Sequence, residues 1–232
     1  MTTKLTIRSI PTLAAVAALS VAFSSQADAG IANTKHNLGS SNTTTTNNNE
    51  TSSTDEICVF CHTPHGSDTS ASVPLWNRSL PNPTIFTTYN QLNTSTLDPT
   101  MLPVGSVSLA CLSCHDGTTA MDAMLNEPGS GTDTITTWTW SKGTNKLATG
   151  ITSIGTDLKN DHPIGIRYAG GDGASLTAVD PDFFNADVNG SVWWIDTGTD
   201  DGTRQSTDLI LYTRSSEPYV ECATCHDPHT EN

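Results

Sequence analysis

Basic residues are scarce in this 232-residue chain: 10 Lys and Arg stand against 24 Asp and Glu, for a formal charge of -14. Binding to phosphate backbones needs the opposite balance, so no nucleic-acid partner is expected. Hydrophobic residues are also few, at 35%, and aromatics reach only 6%. A chain this polar has difficulty burying enough apolar surface to offset its conformational entropy, and it would gain from an added core such as a cofactor or a partner subunit. Beyond residue 23 no apolar run approaches the roughly eighteen residues that suggest a membrane span. Walker, Rossmann and hydrolase motifs are missing. Methionine is nearly absent after the start, with only Met101, Met121 and Met124.

The opening residues read as an export signal. Lys4 and Arg8 precede an apolar stretch from Ile10 to Phe23, and Ala27-Asp28-Ala29 supplies a small-residue cleavage site. Residues 1–29 are therefore expected to be removed, leaving 30–232 as one exported domain of charge -15.

Six cysteines in an exported chain would ordinarily suggest three disulfides. Their placement argues for something else. All six fall in C-x-x-C pairs, each followed at once by histidine: "CVFCH" at 58 to 62, "CLSCH" at 111 to 115 and "CATCH" at 222 to 226. This is the attachment sequence of c-type haem. On a helical turn, residues i and i+3 share a face, so two thiols can add to the two vinyl groups along one porphyrin edge. The histidine that follows can then reach the iron as proximal ligand. The assignments are Cys58, Cys61 and His62 to haem I, Cys111, Cys114 and His115 to haem II, and Cys222, Cys225 and His226 to haem III. Zinc fits poorly, because three C-x-x-C knuckles with a histidine each do not divide into four-ligand sets. A thioredoxin-like reading lacks its βαβ setting, and local disulfides leave the histidines unexplained.

Four histidines remain as candidates for the distal iron ligands: His36, His65, His162 and His229. His65 in "CHTPH" and His229 in "CHDPH" occupy equivalent places. Neither segment can easily wrap round its own haem within three residues, so each is expected to serve a different one. His162 lies in "NDHPIG", where Pro163 keeps the preceding residue extended. His36 precedes a polar tract and is loosely tethered, free to reach a haem of its own or of a neighbouring chain. Four donors for three irons mean either that one histidine is not a ligand or that a fourth haem comes from elsewhere.

Residues 39–55 are low in complexity and read as a flexible or surface-draped linker. Asn-x-Thr sequences there match glycan acceptors, as they readily would in such a tract. In "PLWNRSLPNPTIF", Pro74, Pro81 and Pro83 suit an irregular wrap, with Trp76 and Phe86 packing on porphyrin or in an ordinary core. A short helix is expected to continue past His115 through "TTAMDAML". Strand signals are confined to "TITTWTW" at 134 to 140, "SVWWID" at 191 to 196 and "DLILYT" at 208 to 213. They predict a small antiparallel sheet in a β-rich insert over about 130–215, with Trp138, Trp140, Trp193 and Trp194 as its core. Otherwise the fold class is irregular coil wrapped around three covalent haems, with short helices at the motifs. "GGDGAS" and "DTGTDDG" resemble calcium loops only faintly, without complete ligand spacing.

Taken in order, "KHNLG", "CVFCHTPHG", "PLWNR", "CLSCHDGT", "NDHPIG" and "CATCHDPH" resemble a group of exported multihaem c-type cytochromes, over nearly the whole mature chain. The group includes electron carriers of anaerobic respiration and is similar to extracellular cytochromes that polymerise into conductive filaments. For the filaments, the resemblance implies bis-histidine haems, little regular secondary structure, and an axial histidine donated across the subunit interface. Relatives often carry a fourth C-x-x-C-H after the segment matching "CHDPH", which accounts for four distal candidates beside three haems.

The expected function is electron transfer without chemistry on a substrate, since six-coordinate iron exchanges electrons with little ligand rearrangement. Two architectures fit: an extracellular homopolymeric filament, favoured by low apolar content and the resemblance, and a discrete periplasmic or cell-surface carrier. Other redox proteins or extracellular acceptors would be its partners. A haem reductase is the weaker alternative, because it needs an open iron position. Attachment through thioethers predicts that the denatured, exported chain keeps the mass of three haems; a chain that releases them on denaturation would refute it.

Overall fold

A computed structural model describes residues 30–42, 49–93, 100–129, 135–147, 150–170, 180, 182–198 and 201–230. The export segment 1–29, the middle of the polar tract and most of "GGDGAS" lie outside the described residues.

Regular structure gathers at the cysteine motifs and in one sheet. Motif I makes a single 3-10 turn, Cys58–Phe60. The amides of Cys61 and His62 close it on the Cys58 carbonyl, at 3.1 and 2.7 Å. Motif II ends the helix α1 (Ser106–His115), and motif III is the short helix α2 (Cys222–Cys225). α1 extends upstream of its motif and stops at His115, so the helix expected through "TTAMDAML" does not form. The Asp116 carboxylate is the reason: it takes the amides of Thr118 and Thr119, each at 2.8 Å, and both of their hydroxyls. Those donors would otherwise continue the helix. Gly117 then turns the chain away at φ +70°, a conformation other residues adopt at a penalty.

Five antiparallel strands form the sheet: β1 (Ile166–Arg167), β2 (Asp187–Asn189), β3 (Val192–Ile195), β4 (Leu209–Arg214) and β5 (Glu217–Val220). Their spatial order is β1-β5-β4-β3-β2. "SVWWID" and "DLILYT" supply β3 and β4, with Trp193 opposite Leu211. β4 turns into β5 through Ser215 and Ser216, both at positive φ, the two-residue turn whose twist matches an antiparallel pair. The sheet thus runs to Val220, past the expected limit near 215.

"TITTWTW" is a correction. Its described part is not a strand of this sheet and makes one isolated bridge, Trp140 with Thr51. The alternation does place Trp138 and Trp140 on one side, where their rings stack at 6.0 Å, but they pack around Phe60. Only Trp193 and Trp194 are buried in the sheet. The partner segment also ties down the polar tract: Thr51 is fully buried, its amide donating to Leu38 O (2.8 Å) and its hydroxyl to Thr139 O (2.8 Å).

Apolar residues divide into three small clusters. Val59, Phe60, Met121 and Trp140 form one, with Cys61 and Cys114 at its border. Phe86, Val104, Leu109, Leu112, Leu158 and Ile164 form a second, against which Cys222 packs. The third, including Tyr168, Trp193 and Leu211, belongs to the sheet. α1 is central: Leu109 and Leu112 sit in the second cluster while Cys114 borders the first. Among the described residues no helix is long and apolar enough to cross a membrane. Leu112 is 1% exposed, so Leu112→Ala should destabilise the protein by about 2–5 kcal/mol, read as a lowered denaturant midpoint at unchanged slope.

Candidate functional site

Each C-x-x-C-H histidine faces a second histidine ring. His62 lies 6.2 Å from His229, centre to centre, with planes 16° apart. His115 lies 6.2 Å from His36 at 55°, and His226 lies 6.0 Å from His162 at 22°. Imidazoles bonded on opposite sides of one metal at about 2.0–2.1 Å, with roughly 1 Å more from nitrogen to ring centre, place their centres about 6 Å apart. Contacting aromatic rings cover the same range. Each proximal candidate meets a different distal candidate.

Long-range packing produces these pairs. The β1–β5 pairing sets Ile166 opposite Val220 and Arg167 opposite Tyr219. His162 lies four residues before β1 and His226 six residues after β5, so this antiparallel pairing brings the two segments to the same end of the sheet. At the N-terminus, the Thr34 hydroxyl donates to Pro228 O at 3.2 Å, which brings His36 and the His229 segment together.

Hydrogen bonds fix three of the rings. His62 Nδ1 lies 2.7 Å from Pro74 O and His115 Nδ1 lies 2.7 Å from Thr152 O. A carbonyl can only accept, so each Nδ1 carries the proton and Nε2 keeps its lone pair for a metal. His229 Nδ1 is held likewise by Asp227 Oδ1 at 3.0 Å. Such outer partners orient metal-bound histidines and raise their basicity. Desolvation first, then the neighbouring His115 and His229, lower the His36 pKa, which favours the neutral, ligating imidazole.

The three motifs touch one another. Cys61 and Cys114 border one cluster, and burial pushes the Cys61 thiol up to about 12 and raises that of Cys114. The neighbouring Cys222 raises the Cys111 pKa, and Cys111 in turn lowers that of Cys222. All six are free thiols in this structure.

A c-type haem fits these residues. Each motif presents cysteines at i and i+3 beside a histidine whose ring has a facing imidazole. Two buried polar atoms beside the pairs also lack partners, Trp76 Nε1 and Asp161 Oδ2. The Trp76 ring stands edge-on to His62 at 6.1 Å. An orphaned buried donor next to a proximal histidine suits a group that brings its own acceptors. Phe86 instead belongs to the apolar cluster beside α1.

His65 is set apart. It is exposed and has no ring partner among the described residues, so the structure does not bring it to another motif's histidine. Among the described residues no three His, Cys, Asp or Glu side chains converge to hold a metal ion, in the acidic loops or elsewhere. Sequence reasoning missed Pro74 and Thr152, which act through backbone carbonyls and leave no side-chain signal. It also missed Arg78, Ser108 and Glu221, buried polar residues between the motifs.

Asp116 follows His115 directly and shapes the turn after motif II. Desolvation raises its pKa, but the amides and hydroxyls of Thr118 and Thr119 together outweigh that and hold it below the ordinary value. A carboxyl whose folded pKa is depressed contributes its full stability above the unfolded value of about 3.9, and loses it as pH falls through the folded value. The difference in urea midpoint between the parent and Asp116→Asn should therefore be full at neutral pH and shrink in acid; a gap constant to pH 2 would contradict it. Comparison with protein-family models finds no match, and neither does comparison with curated proteins.

Proposed function

We propose that this protein transfers electrons through three c-type haems with bis-histidine iron. The supporting observation is the set of facing rings: His62 with His229, His115 with His36, and His226 with His162. Cys58 and Cys61, Cys111 and Cys114, and Cys222 and Cys225 would carry the thioethers. The haem would supply reversible one-electron exchange at iron. The chain's own residues would do the rest: His62 and His229, His115 and His36, and His226 and His162 would hold the three irons, and Pro74 O, Thr152 O and Asp227 aim three of these rings. With both positions filled, no iron offers a substrate a site, which disfavours the reductase reading.

The surroundings agree with this reading. Three small clusters and a sheet replace a single large core, and each motif borders one of them. A porphyrin seated at each motif would add the apolar surface that the chain lacks. Export ahead of the proposed cleavage at residue 29 would place the protein outside the cytoplasm, at the cell surface or in the periplasm.

All six paired histidines belong to one chain, which favours a carrier complete in its own ligands. A filament of the kind the resemblance implies would then join copies by surface contacts, without a shared axial histidine. His65 would not be an axial ligand within its own chain.

Carbon monoxide tests the ligand set, because it binds reduced iron only where a position is open. His36→Ala should open one iron and take up one equivalent per chain, whereas His65→Ala should take up none, like the parent. Prompt uptake of a full equivalent by the parent, or by His65→Ala alone, would sink this ligand set.

A further inference from the structure

Two buried charges of opposite sign stand at the junctions between the motifs. Arg78, in "PLWNR", is 1% exposed yet makes no ion pair among the described residues. Its Nε donates to Ser113 Oγ (3.0 Å), Nη1 to Met121 O (2.8 Å), and Nη2 to Ser113 O (2.9 Å) and Ala120 O (2.6 Å). Hydrogen bonds satisfy the group, and no carboxylate among the described residues pairs with it directly. Ser113 lies between Cys111 and Cys114, and the amide of Asn77, the residue before Arg78, donates to Cys61 O at 2.8 Å, so the guanidinium stands where motifs I and II meet.

Glu221 stands on the other side of α1. It is 2% exposed, immediately precedes Cys222, and directs its carboxylate at the start of α1. Oε2 accepts the Ser108 hydroxyl, whose oxygen in turn accepts the Cys222 amide at 2.9 Å. Oε1 accepts Arg214 Nη1 at 3.1 Å. A Cβ on Gly105, the residue ahead of α1, would lie 2.2 Å from Oε1, so the carboxylate occupies the space a side chain would fill. Arg214 itself packs against Tyr219 and is partly exposed, where solvent screens it. Burial raises the Glu221 pKa, and the Ser108 hydroxyl, Arg214 and the Gly105 amide act against that rise; the side chain lies between Arg214 and the junction of motifs II and III.

We propose that Arg78 and Glu221 grade the three haems, an inference that rests on the electron-transfer reading above. Reduction adds one negative charge at iron, which a nearby buried cation stabilises and a nearby buried anion opposes. Arg78 thus favours reduction at motifs I and II, and Glu221 disfavours it at motifs II and III. Motif I, which has Arg78 without a buried carboxylate, carries the highest reduction potential, and motifs II and III lie below it: at motif II Glu221 and the buried Asp116 act against Arg78, and at motif III Glu221 acts without Arg78. Electrons come singly from an external one-electron donor and leave to an external one-electron acceptor. No bond to iron would form or break in this exchange.

Redox titration of the haem-loaded protein, resolved into three one-electron waves, provides the test. Glu221→Gln should raise the two lower waves and leave the highest in place. Arg78→Gln should lower the highest wave and one of the two below it and leave the third, while Arg78→Lys, which keeps the charge, should resemble the parent. Each shift should amount to about tenfold in the reduction equilibrium, or about 59 mV for one electron. Ser108→Ala loosens the same junction but keeps the carboxylate charge, so it should raise no wave, which separates charge from packing. If Arg78→Gln fails to take up three haems, Glu221→Gln decides alone. Three haems with unshifted waves in Glu221→Gln, an equal shift of all three, or a rise in Ser108→Ala as large as that of Glu221→Gln would overturn the grading. A parent with fewer than three haems per chain would instead refute the function from which the grading follows.

Discussion

Everything in this chain is arranged around pairs of imidazoles held about 6 Å apart, centre to centre. One ring of each pair is fixed in sequence by its C-x-x-C neighbours, and the other must be delivered from a distant segment. Three deliveries define the fold: the N-terminal segment brings His36 to α1, the tail beyond α2 brings His229 to motif I, and β1 brings His162 to motif III. The small apolar clusters fill the spaces between them and form no common centre. Such a layout suits a polar chain, because short local contacts and backbone hydrogen bonds can hold many loops where no large core is available.

Under the proposed reading, the same economy shapes the chemistry. The proximal rings of motifs I and II are aimed by backbone carbonyls, from Pro74 and Thr152. These partners do not titrate, so ring orientation is insensitive to pH at both sites. Titratable side chains enter at the junctions instead, where Arg78 and Glu221 are buried. Orientation of the proximal rings of motifs I and II thus falls to peptide carbonyls and that of His229 to Asp227, while electrostatic tuning falls to the buried side chains at the junctions.

The cysteines and the three histidines attached to them could be read directly from sequence, because their chemistry is local and repeats. Four distal candidates were also legible as a set. Their pairing was not, since it depends on the β1–β5 register and on a contact between Thr34 and Pro228, 194 residues apart. Two strands were visible as apolar runs, whereas "TITTWTW" carried the alternation of a strand without an edge to join. The helix at motif II forms, but its expected continuation past His115 does not, because the Asp116 turn is stronger than the helix propensity of the residues after it. Arg78 and Glu221 gave no signal, since a charged residue in an irregular segment reads as exposed until the packing around it is known.

The sheet has a consequence for how the protein can change. β1 and β5 are adjacent partners, so the chain leaves for the other strands and returns within one strand spacing, about 4.7–4.9 Å. Those two strands position His162 and His226, while β2, β3 and β4 complete a hairpin excursion between them. That excursion is a natural graft point: a receptor, adhesin or sensor module spliced into its outer turns would enter and exit at neighbouring positions, leaving the histidine geometry to the two strands at its base.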